Sequence, residues 1–301
     1  MKLGFSSFSF SAKMLKGEMS IVDVIEWIGA SDGEHVELAT VSFSPKGTDT
    51  VWNFDDDPDL IETIRAASQK HGVELSGMCI PADFIGESAD DRAQQIERVK
   101  QHLRLSDRLG IRYFRHDVTQ WARRPQDVAE IERLLPQIVD SSAEIALFAA
   151  EYGITTSIEN HGFFMNGSEH VRRLITAVDE PNFKTTLDVG NFLCVDEDAY
   201  VATTANLPVA SFVHLKDFYV RRYDAYPGEG WLTTLGGNYL LGSIIGFGDL
   251  DTRGILRSVV DSGYGGFVSI EFEGNEDCLF ACGTGLANVR RILGEVSTPA
   301  A

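Results

Sequence analysis

Short apolar runs rich in β-branched residues alternate with longer amphipathic segments along the chain. The longer segments carry helix boundary signals, because acidic residues precede the first turn and a glycine follows the last, as at Gly72 and Gly110. The pattern predicts eight strands separated by about eight helices. The predicted strands span residues 2–10, 35–40, 73–80, 111–117, 153–160, 183–189, 209–216 and 266–273.

Eight strands that alternate with helices in 301 residues are typical of a (β/α)₈ TIM barrel, an α/β fold. A doubly wound open sheet is the alternative. It would usually carry a glycine-rich G-x-G-x-x-G turn after an early strand, and no such turn follows the first predicted strand. Because no proline- or serine-rich linker divides the chain, we expect residues 1–301 to form one barrel domain.

The connection after the seventh predicted strand is unusually long. About thirty residues, 219–248, precede the next helix, and they are rich in tyrosine and glycine. Long connections in compact domains often form lids or binding loops, and the aromatic content argues against disorder. We therefore expect residues 219–248 to be a lid or a subunit interface, with an unimportant surface insertion as the alternative.

The net charge limits the classes of partner. The chain carries a formal charge of −19 and has no basic stripe, so we expect no binding to nucleic acid. No apolar run approaches the roughly 18 residues of a membrane span, and the first residues lack a signal-peptide layout. The four cysteines form no C-x-x-C pair. We expect a cytoplasmic homo-oligomer that does not bind membranes.

The last four predicted strands all end in polar or charged residues. These are Glu159, Asn160 and His161 in the fifth strand, Asp188 in the sixth, His214 and Lys216 in the seventh, and Glu271 and Glu273 in the eighth. In a barrel, these four ends lie on the C-terminal face, where active sites form. Charges crowded there must be paired or bound to a cation, because isolated buried charge is costly.

Four of these residues are candidate metal ligands. Glu159, Asp188, His214 and Glu271 supply three carboxylates and one imidazole. That set suits one divalent ion, Mn²⁺ first, with Co²⁺, Mg²⁺ or Zn²⁺ as alternatives. No thiolate takes part, which argues against a closed structural zinc site. We therefore expect open coordination positions for two oxygens of a substrate.

The strand ends IENHG, LDVGN, VHLKD and SIEFEG, with IIGFGDLD at 244–251, resemble the sugar phosphate isomerase/epimerase family of xylose isomerase-like TIM barrels. The resemblance covers nearly the whole chain. It implies that the four candidate ligands hold the metal and that Glu159 and Glu271 also form an acid–base pair. Ketose epimerases of the family commonly have a histidine three residues after Asp188, where this chain has Asn191. That departure argues against simple ketose epimerisation.

Two hypotheses about the enzymatic reaction follow, both for a small carbohydrate substrate. The first is a metal-dependent isomerase or epimerase, in which a proton leaves the carbon next to a carbonyl and the metal stabilises the enediolate. The second is a lyase on the same scaffold, either a dehydratase or a C-glycoside deglycosidase. The resemblance implies a Glu-x-His arrangement and a small β-sandwich partner subunit for such a deglycosidase, and Glu159-Asn160-His161 matches that arrangement.

Two other functions fit the sequence less well. A DNA-repair endonuclease shares this barrel but would need a basic surface and more metal-binding histidines, whereas the chain has seven histidines and a strongly negative charge. A non-catalytic binding protein would have no reason to keep candidate ligands on all four strands. We therefore expect an enzyme.

Several residues are candidates for contact with the substrate, each with a structural alternative. His161 is a candidate base or a partner that orients a carboxylate. Lys216 could stabilise an oxyanion or a phosphate, or pair with a carboxylate such as Asp217 or Glu273. His116 could bind hydroxyl groups or be a core histidine. The remaining candidates are Asn191, at the place of the family histidine, and Trp52, Trp121 and Trp231, which could stack on a sugar ring.

Overall fold

The computed structural model describes residues 1–43, 58–86 and 88–297, so Trp52 lies outside the described residues. Eight parallel strands close into a barrel in the order β1-β11-β7-β6-β5-β4-β3-β2. They are β1 (Lys2–Ser6), β2 (His35–Ala39), β3 (Glu74–Ile80), β4 (Tyr113–His116), β5 (Thr155–Glu159), β6 (Phe183–Asp188), β7 (Ala210–Leu215) and β11 (Phe267–Ile270). The predicted TIM barrel is confirmed, and the open doubly wound sheet is excluded.

Helices surround the barrel, and those in the described residues are α1 (Ser11–Met14), α2 (Ile21–Ala30), α3 (Pro58–His71), α4 (Ala89–Leu109), α5 (Val128–Ala150), α6 (Ser168–Val178), α7 (Ala199–Asn206), α8 (Thr252–Asp261) and α9 (Cys278–Val296). Their ends follow the predicted signals. At the start of α4 the Ser88 hydroxyl accepts a hydrogen bond from the Asp91 amide, and Gly110 ends the helix in the left-handed conformation. None of the described helices is both long and apolar enough to cross a membrane.

An aromatic layer fills the barrel interior at the N-terminal end. The ring of Phe212 lies 5.8 Å from that of Phe267 and 6.0 Å from that of His35, and Tyr113 packs 5.7 Å from Phe267. His35 is fully buried, with its ring nitrogens 2.8 Å from Ser76 Oγ and 3.1 Å from the Val268 carbonyl oxygen. This packed layer closes the barrel from below, so the polar strand ends lie at its open end.

The connection predicted as a long loop contains a small antiparallel sheet. It consists of β8 (Asp217–Arg221), β9 (Leu232–Thr233) and β10 (Tyr239–Ser243), in the order β8-β10-β9. Phe218 and Leu240 of this sheet pack with Phe163 and Cys194 in an apolar cluster of their own. The segment is therefore attached to the barrel mouth through a core, and its function as a lid or an interface stays a prediction.

Candidate metal centre

The four predicted metal ligands lie together at the open end of the barrel. Glu159 and Asp188 end β5 and β6, His214 lies near the end of β7, and Glu271 follows β11. These strands are neighbours, so their ends converge, and one ligand atom from each side chain lies within 4.8 Å of the others. All four side chains are buried.

Two buried atoms of this cluster make no hydrogen bond and have only ion-pair contacts of 3.3 Å or more. They are Asp188 Oδ2 and His214 Nδ1. The other oxygen of Asp188 accepts hydrogen bonds of 2.8 Å from the amides of Gly190 and Asn191, which directs Oδ2 to the cluster. Buried polar atoms rarely lack a partner. A divalent ion bound by the four side chains would supply one, so the residues fit a metal ion.

The imidazole of His214 has only one nitrogen directed at the cluster. Its Nδ1 lies 3.4 Å from Glu159 Oε1, 3.7 Å from Glu271 Oε2 and 3.9 Å from Asp188 Oδ2. Its Nε2 lies 2.7 Å from Glu37 Oε2 on β2. Sequence reasoning missed Glu37, and the available signal was a lone carboxylate within the buried strand HVELA.

Arg115 on β4 neutralises one side of the site. Its Nη2 lies 2.7 Å from Glu159 Oε2 and 2.6 Å from Asp117 Oδ1, and the guanidinium is buried. Burial opposes ionisation of Glu159, but the charges of Arg115 and His214 outweigh it and hold the pKa of Glu159 well below its usual range. The surroundings of Glu159 therefore favour its charged form.

Lys216 neutralises the other side. Its Nζ lies 2.9 Å from Glu271 Oε2, 3.0 Å from Glu273 Oε1 and 3.3 Å from Asp188 Oδ2. Burial opposes ionisation of Glu271, but Lys216 and His214 lower its pKa. Burial raises the pKa of Asp188 to about 6, although Lys216 acts against this. Lys216 therefore pairs with site carboxylates, one of the two alternatives expected for it, and Asp217 is not among them.

His161 lies beside Glu159 and lines the cavity. Its Nδ1 is 3.1 Å from Asp117 Oδ1 and 2.9 Å from Arg115 Nη2. Burial would lower the pKa of His161, but the Asp117 carboxylate outweighs burial and raises it. Sequence reasoning missed both Arg115 and Asp117. The available signal was the alternation of side chains along the strand FRHD, which places Arg115 and Asp117 on one face and His116 on the other.

The structure separates His116 from the other candidates. It is fully buried between Phe84 and Phe183, at ring distances of 5.5 and 6.2 Å, and its Nδ1 lies 2.9 Å from the Asp117 carbonyl oxygen. This is the position of a core histidine. Trp231 is also absent from the cavity lining; it directly precedes β9 of the small sheet, with the Arg221 guanidinium 5.5 Å from its ring.

Asn191 and Trp121 do line the cavity. Asn191 Nδ2 donates to Glu159 Oε1 at 3.1 Å, and its Oδ1 accepts from Lys216 Nζ at 3.2 Å, so the amide connects a ligand to the lysine. Asn160, for which the sequence suggested no role, pairs with both backbone groups of Asp188 at 2.8 and 2.9 Å. It therefore fixes the end of β6 against the end of β5.

A cavity of about 880 Å³ opens over these groups. Its lining includes four charged residues that are buried, Arg115, Glu159, Lys216 and Glu271. Glu159 and Glu271 approach the same centre from β5 and β11, and His161 adds an imidazole on the β5 side. The arrangement combines a cluster of metal-ligand type with groups that can exchange protons in one enclosed space.

Solved structures with the same fold cover almost the whole chain. A crystal structure of D-psicose 3-epimerase in the presence of D-fructose has a TM-score of 0.71 at 18% identity, covering 98% of this chain and 100% of that one. The probable 3-DHS dehydratase AsbF from Bacillus anthracis has a TM-score of 0.72 at 20% identity, covering 96% and 99%. The IOLI protein with a bound zinc atom has a TM-score of 0.74 at 16% identity, covering 99% and 100%.

Sequence comparison identifies the family. A search of curated proteins gives no significant match. The family model described as xylose isomerase-like TIM barrel matches residues 33–289, which include all four residues of the buried cluster. The strand-end motifs had indicated the same superfamily. The chain therefore belongs to the xylose isomerase-like TIM barrel family.

Proposed function

We propose that the protein is a divalent-metal-dependent isomerase or epimerase that acts on a sugar or a similar hydroxy-ketone by proton transfer next to the carbonyl. The observation that carries the proposal is the cluster of Glu159, Asp188, His214 and Glu271, in which two buried ligand atoms make no hydrogen bond. Three carboxylates and one imidazole favour Mn²⁺, with Co²⁺, Mg²⁺ or Zn²⁺ as alternatives.

The bound ion would polarise the substrate carbonyl and stabilise the negative charge that develops when the neighbouring carbon loses its proton. The protein must then supply the groups that move this proton. Glu159 suits the task of a ligand, because its Oε1 faces His214 and Asn191 while its Oε2 is held by Arg115. Both oxygens of Glu159 are thus engaged.

Glu271 and His161 are the proposed proton-transfer groups. Both line the cavity, and they enter it from β11 and β5, on different sides of the cluster. Asp117 orients the His161 imidazole through the 3.1 Å contact to its Nδ1. Lys216, beside Glu271, would hold a substrate oxygen that becomes negatively charged.

The Asp117–His161 pair also favours a second candidate, a lyase. Elimination of a leaving group needs a proton donor in addition to the base, and a carboxylate-oriented imidazole is suited to that role. One structural neighbour carries the description of a probable dehydratase and another that of an epimerase, and this division matches the two candidates.

Two measurements test the proposal. Elemental analysis of purified protein should find about one divalent ion per chain, lost in Glu159→Gln and His214→Ala but kept in the exposed variant Glu97→Gln. Incubation with candidate sugars in D₂O should place deuterium on one carbon of the recovered sugar. An unsaturated or cleaved product would establish the lyase instead. A metal content that is unchanged in both ligand variants would disprove the metal centre.

A further inference from the structure

The cavity above the candidate metal centre is larger than one sugar ring requires. Its volume is about 880 Å³. A single sugar ring fills on the order of 200 Å³, whereas cavities of about 300–1,000 Å³ hold drug-sized ligands. A ring bound to the charged residues at the bottom would therefore leave most of the cavity free for another part of the same molecule.

Most of the large apolar lining residues fall into two groups on opposite sides of the cavity. Phe8, Val41 and Phe272 follow β1, β2 and β11, which are neighbours in the barrel. Trp121 and Phe163 follow β4 and β5 on the opposite side, and Leu232 of the small sheet lines the cavity as well. The charged groups at the strand ends lie between these two apolar walls. A ligand whose polar end reaches the charged groups must pass between the walls.

Among the described lining residues, Trp121 is the most exposed aromatic side chain, with 53% of its surface accessible. Its ring lies 6.3 Å from that of Phe163, and the Arg124 guanidinium covers Phe163 at 3.8 Å. Gly162 allows the Trp121 backbone to pack closely against the segment that follows β5, because a Cβ at this glycine would lie 2.1 Å from the Trp121 carbonyl oxygen. A supported aromatic surface that faces a cavity is suited to stacking against a second ring.

The charges of the lining argue against a phosphate on the substrate. Arg115 and Lys216 pair with the carboxylates of the strand ends, where the ring itself would bind, and Lys13 forms an ion pair of 2.8 Å with Asp277. Among the described lining residues, Lys16 is the one cation without an ion-pair partner. Phosphate groups are usually held by several charge-assisted hydrogen bonds. One exposed lysine does not provide such a site.

We propose that the substrate is a polyhydroxylated ring that carries an aromatic or other apolar substituent and no phosphate. The ring lies at the charged strand ends and the substituent lies between the two apolar walls, against Trp121. The position of the ring rests on the proposed function. The position of the substituent rests only on the shape and composition of the cavity.

Calorimetric titration with matched glycosides tests this substrate class. The probes are the methyl and phenyl β-glycosides of glucose, galactose and mannose, together with glucose 6-phosphate, on the metal-loaded protein. In at least one pair, the phenyl glycoside should bind about 10-fold more tightly than the methyl glycoside, because the extra ring buries apolar surface. Trp121→Ala should reduce that ratio to about 3-fold or less, since most of one wall is lost.

The control variant is Phe280→Ala, which removes an aromatic ring that is 61% exposed but lies outside the cavity lining. It should keep the wild-type ratio. Repeating the titrations in EDTA separates the substituent site from the metal-dependent function. The ratio of phenyl to methyl glycoside affinity depends on the apolar walls. It should therefore persist without metal, even if the metal and deuterium measurements contradict the proposed function. Equal binding within all pairs, no binding of any phenyl glycoside, or tighter binding of glucose 6-phosphate would overturn the inference.

Discussion

Glu37 Oε2 lies 2.7 Å from His214 Nε2, and both side chains are buried inside the barrel. The contact spans the barrel interior from β2 to β7. It leaves His214 Nδ1 directed at Glu159, Asp188 and Glu271. Metal-binding histidines commonly place their second nitrogen on a carboxylate, which fixes the ring and increases its basicity. The pair is therefore the support that a metal ligand at position 214 requires.

Replacing Glu37 should weaken metal binding without removing a ligand. Glu37→Gln keeps the size of the side chain but loses its charge, so we expect metal affinity to fall by about 10- to 100-fold. Competition with a chromogenic chelator measures this directly, and circular dichroism checks the fold. The control is Glu26→Gln on the exposed face of α2, which should bind metal as the wild type does. Unchanged affinity in Glu37→Gln would show that the contact does not support the ligand.

Arg115 should contribute strongly to stability, because it is the cation of two buried carboxylates. Arg115→Met leaves Asp117 and Glu159 without their partner, and breaking a buried ion pair costs about 3–5 kcal/mol. Urea unfolding in EDTA measures the change in the free energy of unfolding. Arg104→Met is the matched control, since its pair with Glu97 is exposed and should contribute less than about 1 kcal/mol. Similar losses in the two variants would contradict this account of Arg115.

The four candidate ligands could be predicted because they depend on local rules. A parallel barrel brings the carboxyl ends of its strands together, so Glu159, Asp188, His214 and Glu271 converge once each strand is recognised. The same rules did not predict which face of β4 is directed to the barrel mouth. Both faces of FRHD carry residues that could bind a ligand, and the orientation of the strand depends on how β4 is placed against β3 and β5. The sequence pointed to His116, whereas the structure turns Arg115 and Asp117 to the mouth.

The small sheet after β7 escaped sequence reasoning for a related reason. Its strands are short, and β8 pairs with β10 across an intervening segment, so the pattern within each strand is weak. Lys216 alone separates β7 from β8, which hid the boundary between the barrel and the sheet. Contacts between distant parts of the chain decide such a structure, and a single sequence does not display them.

The Asp217 carboxylate should hold the segment that follows the small sheet, residues 244–251. Its carboxylate accepts hydrogen bonds from the amides of Phe218, Gly246, Gly248 and Leu250 at 2.8 to 3.4 Å. A Cβ at Gly248 would lie 2.2 Å from Asp217 Oδ1, so a glycine is required for this approach. This contact explains Gly248 of IIGFGDLD, whereas Gly246 is favoured by its φ of +86°.

Removing this carboxylate leaves four amides without their acceptor. A fully buried donor left in this way costs about 1–3 kcal/mol, and the cost is smaller for Gly246, Gly248 and Leu250 because they are partly exposed. In Asp217→Ala, hydrogen exchange detected by mass spectrometry should accelerate in peptides that cover residues 244–251, while peptides from β3 and β4 keep their rates. Asp224→Ala, at an exposed site of the same sheet segment, is the control. Equal exchange at 244–251 in Asp217→Ala and the wild type would contradict this role.

Buried neutral histidines should make the protein sensitive to mild acid. Burial lowers the pKa of His35 to about 4 and that of His116 to about 4, against 6.5 for the unfolded side chain. Between these values the unfolded chain binds more protons than the folded one, so stability falls as the pH drops from about 6.5 to 4. A shift of this size corresponds to a loss of up to about 3 kcal/mol for each histidine.

Urea unfolding between pH 7.5 and 4.5 measures this loss, with EDTA present so that metal release does not contribute. His35→Gln should be less stable than the wild type at pH 7.5, because the hydrogen bonds to Ser76 and Val268 are disturbed. Its stability should nevertheless fall less steeply with acid, since the glutamine does not take up a proton in the unfolded state. If the free energy of unfolding of His35→Gln fell with pH as steeply as that of the wild type, His35 would not be responsible for the loss in acid. The proton uptake must disappear with the imidazole.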